Sequence, residues 1–170
     1  LTEKIIIGWT GSQSTLKFLE PVTPVLKSLK DKFDFEFVII ADKDPSFELP
    51  FAKFVPWNEV TEIEDLLQRN IGVMPLDNDP WCEGKCRFKL IQYLSLGIPA
   101  VASPIGVNKN IIEEGVNGYL CNNSEEWIKA LTSLIKDESL RRQMGKDGRE
   151  KMVTNYSIQS QTSNFLNLFD

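Results

Sequence analysis

Histidine is absent from this 170-residue chain. That removes the commonest general base and the commonest neutral metal ligand. Cysteine is scarce: Cys82, Cys86 and Cys121 are odd in number and lack C-x-x-C spacing, so neither a disulfide framework nor a zinc site is indicated. They read as reduced thiols, and no metal is expected. Basic charge is not in excess, since 19 Lys and Arg against 24 Asp and Glu leave a net charge of −5, which argues against a general nucleic-acid binder. No apolar run approaches the roughly 18 residues that span a bilayer, and the amino terminus is not signal-like. The expected location is cytoplasmic, at most peripheral to the inner face of a membrane. The length suits one well-buried domain better than two. Because the chain starts at Leu1 and enters a strand after a few residues, an excised domain of something longer is expected.

What is present is an alternation of strands and helices. Residues 4–9 (KIIIGW) and 35–41 (FEFVIIA) are continuous apolar runs, as expected of strands covered on both faces. Between them a turn of small hydroxyl residues leads into a helical pattern over about 16–30, for which Ser14 or Thr15 would serve as N-cap. Residues 53–56 form a shorter strand. Asn58 or Thr61 then caps a helix running to about Arg69, with Glu59, Glu62 and Glu64 early and Arg69 late, as the helix dipole prefers. Trp57 is placed either to stack on a flat ring or to pack, half-buried, against its own chain. Beyond residue 103, Asn108 or Asn110 caps a short helix over 111–114, and 118–121 is a last strand. A helix over about 124–136 follows, then a charged helix over 138–154 expected to be interrupted near Gly145 or Gly148, and an amphipathic helix over 157–169. This order implies an α/β, doubly wound sandwich around a mainly parallel sheet.

The chain is organised around residues 71–120. A short apolar strand (71–76), a loop rich in Asp, Asn, Pro and Gly, a helix over about 86–96, a Gly97/Pro99 break and a second strand (99–103) make a crossover. Ligands of open α/β sheets sit beyond the strand carboxyl ends, so binding is expected near residues 82–92. At 100° per residue, Lys85, Lys89 and Gln92 share one helix face, and Leu90, Ile91 and Leu94 the opposite one. A helix amino end already carries partial positive charge, so Lys85, Arg87 and Lys89 there suit an anionic ligand; a solvated basic helix end is the plainer alternative.

The runs GWTGS (8–12), MPL (74–76), EG (83–84), QYLSLGIPAVAS (92–103), PIGVN (104–108) and EGVNGYL (114–120) stand in one order. In that order the chain resembles the carboxy-terminal, nucleotide-sugar-binding domain of a GT-B glycosyltransferase, of the large retaining group called family 4. The resemblance covers nearly the whole chain and implies a Rossmann-like fold. It also implies an amino-terminal acceptor domain outside the sequence, a nucleotide-diphosphate sugar as donor substrate, no tightly bound cofactor, and an acceptor that is a sugar, a lipid-linked glycan or another molecule. Glu83 then corresponds to the glutamate that addresses the donor sugar. Gln92 stands where a glutamate for the nucleotide ribose is usual, one residue further along than the usual spacing. The amides at the helix start, here Cys86, Arg87 and Phe88, would hold the diphosphate together with Lys89. Gly11 matches the first βα turn, Lys17 stands at the family's lysine spacing, and Ser12 replaces its usual arginine, so that cationic duty moves to Lys85, Arg87 and Lys89. Trp57, which could stack on a flat ring, is the remaining candidate binding residue. Two other functions fit the same fold: a nucleotide-sugar epimerase, whose acidic and histidine residues cannot be placed here, and a non-catalytic nucleotide-binding or partner-docking module, which the Ser12 and Gln92 departures favour.

Overall fold

The computed structural model describes residues 4–45, 51–77 and 88–167. Its strands are β1 (Ile5–Gly11), β2 (Phe35–Ala41), β3 (Ala52–Pro56), β4 (Ile71–Met74), β5 (Ala100–Ala102) and β6 (Gly118–Leu120), in sheet order β3-β2-β1-β4-β5-β6. Every pairing is parallel. Two wings thus run outward from β1 and β4, and a crevice opens beyond the strand ends where they part.

Alternating strand residues feed two cores. Ile7, Trp9, Phe37, Ile39, Val73 and Val101 pack on one face against α1 (Thr23–Lys30) and α5 (Ser124–Lys136). Ile40, Met74, Ala100 and Ala102 pack on the other against α3, described over Phe88–Ser95, with Leu66 of α2 (Glu62–Leu67) and Met152 of α6 (Glu138–Asn155). A four-residue α4 (Asn108–Ile111) and a terminal α7 (Ile158–Leu166) complete the helices of the described residues.

Several expectations need correction. The pattern over 16–30 is two elements: a 3-10 helix at Gln13–Val22, with Ser12 rather than Ser14 or Thr15 at the N-cap, and then α1. Pro21 and Pro24 supply no N–H and break what would have been one α-helix. Helix α2 ends at Leu67, and Arg69 is not a solvated helix-end cation: it is 5% exposed, with no hydrogen-bond partner for Nε among the described residues. Burial lowers its pKa, partly offset by Asp65. On α3 the core face is Leu90, Tyr93 and Leu94, with Ile91 only partly buried. The short helix begins at Asn108, whose buried Nδ2 donates to the Ser103 carbonyl at 2.9 Å.

Helix α6 is not interrupted. Its two glycines are close-approach sites instead: a Cβ on Gly145 would overlap the Gly97 carbonyl oxygen, and one on Gly148 would come within 2.8 Å of Leu94 Cδ2. Gly97, at φ +73°, turns the chain out of α3 at the same point.

Candidate functional site

The described part of the crevice is a cleft of about 280 Å³ at the carboxyl end of β1. One side is the β1 turn, through Thr10, Gly11 and Ser12. Strand β1 bonds β4 only through Ile7–Ile71 and Gly8–Gly72, while on its other side it follows β2 to Gly11. The Thr10 N–H therefore lies where the wings diverge, and it donates to the Tyr93 hydroxyl at 3.0 Å. Tyr93 is fully buried, its ring so close to Gly72 that a Cβ there would come within 2.5 Å. Burial pushes its phenol pKa up, against the lowering effect of the Thr10 hydrogen bond.

The next two amides of the turn are used within the chain. Ser12 N–H donates to Thr15 Oγ1 at 3.1 Å, and Gln13 N–H donates to Asp42 Oδ1 at 2.6 Å. Positive charge at this corner comes from α3: Lys89 Nζ lies 4.4 Å from the Trp9 ring centroid and 3.4 Å from Thr15 Oγ1. A Cβ on Gly11 would come within 2.5 Å of that Nζ, so the glycine leaves the room in which the ammonium sits over the turn. A cation against an aromatic face, partly shielded from water, keeps its charge at a fixed place.

The cleft is lined further by Trp57 and Glu62 and, on α3 beside Lys89, by Phe88 and Gln92. Trp57 is 44% exposed and Phe88 58% exposed, large aromatic surfaces left open in a cleft. Trp57 Nε1 donates to Glu62 Oε1 at 3.0 Å, and Gln92 Nε2 donates to the same oxygen at 3.1 Å.

Of the residues singled out from sequence, the fold brings Gly11, Ser12, Trp57, Phe88, Lys89 and Gln92 to this one cleft. Lys17 does not line it; its ammonium lies 5.2 Å from the Phe18 ring centroid. Glu83, Lys85, Cys86 and Arg87 lie outside the described residues. Thr10, Asp42 and Glu62 were not singled out for the site. Glu62 reads in the sequence as one of three acids suiting a helix dipole, and only its place in the first helical turn after Trp57 could have signalled that it lines the cleft. Among the described residues there is no group of three or more His, Cys, Asp or Glu placed to hold a metal ion. Cys121 is buried, and its thiol is pushed up to about 12 by burial, with Glu114 and Glu126 adding to the rise, so it is no thiolate at neutral pH.

Residues 48–151 match the family described as "Glycosyl transferases group 1". Spore coat protein SA of Bacillus subtilis (strain 168) is 28% identical over 80 residues, 45% of this chain and 21% of that protein. N-acetyl-alpha-D-glucosaminyl L-malate synthase of Bacillus anthracis is 27% identical over 82 residues, 47% of this chain and 22% of that protein. The match thus spans about a fifth of each curated relative. Anabaena Alr3699/HepE, solved in complex with UDP, superposes with a TM-score of 0.79 at 15% identity, over 98% of this chain and 48% of that one. At that identity the likeness is one of fold: a Rossmann-like α/β domain of the GT-B kind.

Proposed function

Because the chain belongs to the glycosyl transferases of group 1, we propose that its cleft binds a nucleotide-diphosphate sugar whose glycosyl group is passed to an acceptor. The observation that carries this reading is Lys89: its ammonium lies at the carboxyl end of β1, against Gly11, in a cleft also lined by the exposed rings of Trp57 and Phe88. A diphosphate needs the first and a nucleobase the second. As the bond from the sugar's anomeric carbon to the phosphate oxygen opens, the diphosphate leaves with the electron pair, and Lys89 stabilises the charge that grows on it. Gly11 and Ser12 shape the turn beside it, Trp57 and Phe88 face the base, and Gln92 belongs to the ribose side. By likeness to family 4, Glu83 contacts the donor sugar, while Cys86 and Arg87 join Lys89 at the diphosphate. UDP in the Alr3699/HepE complex supports a nucleotide donor.

The acceptor site belongs, in this reading, to a second, amino-terminal domain of a cytoplasmic enzyme; the chain's coverage of 48% of Alr3699/HepE supports that arrangement. Sugar transfer by this chain alone would remove that part of the proposal. The test of the donor site is a titration of the chain with UDP, GDP and ADP and with the matching nucleosides. Lys89→Ala is expected to weaken the best diphosphate by about tenfold or more and its nucleoside by much less. Equal loss for both would refute the assignment.

A further inference from the structure

Two carboxylates line the cleft: Asp42, which accepts from Gln13 N–H, and Glu62, which accepts from side chains of the cleft itself. Gln92 is neutral, yet its amide group is fixed: Nε2 donates to Glu62 Oε1 at 3.1 Å, and Trp57 Nε1 donates to that same oxygen at 3.0 Å. Two donors from two different elements therefore orient one carboxylate that lines the cleft. A carboxylate only accepts hydrogen bonds, and two bonds on one oxygen leave Oε2 to accept more. The ligand group it suits is a donor, a hydroxyl or N–H, and never a phosphate.

Its position narrows the choice. Lys89 and Gln92 are three residues apart on α3, hence neighbours on its surface. The cleft accordingly offers a cation on α3 and an anion on α2 hydrogen-bonded to the α3 residue one turn further along. In a nucleotide the phosphate and the ribose hydroxyls stand in the same adjacency. The indole N–H lies in the ring plane, so Glu62 sits at the edge of Trp57. A base stacked on the Trp57 face is offset from that edge, whereas the sugar attached to it can reach the carboxylate.

We propose that Glu62 is the acceptor for the ribose hydroxyls of the nucleotide, doing through Gln92 and Trp57 what a glutamate at position 92 would do directly, and that it makes the cleft selective for ribonucleotides. This rests on the donor-site reading above. It places selectivity on α2, which contributes no residue to the diphosphate corner, so the two halves of the ligand are read by separate elements.

The test uses the chain with UDP, GDP and ADP and the 2′-deoxy form of each, followed by calorimetry. The tightest ribonucleotide is expected to bind at least about tenfold better than its 2′-deoxy form, the loss of one charge-assisted hydrogen bond. Glu62→Gln is expected to bring that ratio close to one, the larger loss of affinity falling on the ribonucleotide. Equal affinity of the unmodified chain for both forms overturns the proposal whether or not the variant folds, as does discrimination that survives in Glu62→Gln. Binding of diphosphates without discrimination refutes Glu62 alone, whereas no binding of any nucleotide removes the donor site and this inference with it.

Discussion

The Thr10 N–H shows how single residues hold the crevice open. On the β4 side no strand reaches it, and a buried amide without a partner costs about 1–3 kcal/mol. The Tyr93 hydroxyl is that partner, delivered from α3 across 83 positions of chain. Tyr93→Phe keeps the ring over Gly72 and deletes only the acceptor. Urea unfolding should report a loss of about 1–3 kcal/mol, and an unchanged midpoint would mean that water serves Thr10 equally well. Apolar periodicity marks where a side chain is buried but says nothing of a hydroxyl's partner, so this bond could not be read from the sequence. The same is true of Glu62, whose two donors come from residues 5 and 30 positions away. Lys89 and Gln92 were legible because helical spacing alone puts them on one face.

At the scale of elements, the strands were the most legible part. Runs such as 35–41 are apolar throughout because parallel strands are covered on both sides, and β2 occupies those same residues. The charged pattern over 138–154 was also helical, but its glycines misled, since composition cannot tell a break from a contact. Gly145 lies against the Gly97 backbone, and Arg149 Nη1 donates to the Ser95 carbonyl at 2.6 Å, satisfying the end of α3. Gly145→Ala would force α6 away from that corner. Overpacking of this kind costs about 1–3 kcal/mol, enough for a measurable fall in melting temperature, although alanine is the better helix former by about 1 kcal/mol. A variant that melts higher than the parent would show that the contact gives way freely.

For the whole molecule, acid is the informative stress. Glu36 is held below its ordinary value first by the hydrogen bond from Lys53, Asp34 by that from Lys4, and Glu126 by the backbone N–H of Asn122. Lowered folded values mean that the unfolded chain binds more protons at mildly acid pH. The stabilisation is therefore complete above the ordinary values of 3.8 for Asp34 and 4.5 for the two glutamates, and is lost as pH falls through the lowered ones. Melting temperature should be level near about pH 6 and fall towards about pH 3, with a shallower fall in Glu36→Gln. Asp34 is exposed while Glu36 and Glu126 are half-buried, so salt should reduce the share of Asp34 most and that of Glu36 less, both of which come from lysine pairs. A melting temperature that rises on acidification would contradict these assignments.

Helix α3 is fastened along its described length: by the phenol of Tyr93 to the first strand, by Leu94 against Gly148, and at its far end by the Gly97 and Arg149 contacts to α6. A helix tethered at so many points has little freedom to slide or tilt. Whatever accommodation a bulky guest requires must come from across the gap, where the half-exposed Trp57 indole is held by its hydrogen bond to Glu62. Lys89 and Gln92 then act as the stationary jaw of a vice, and the indole rides on the jaw that travels.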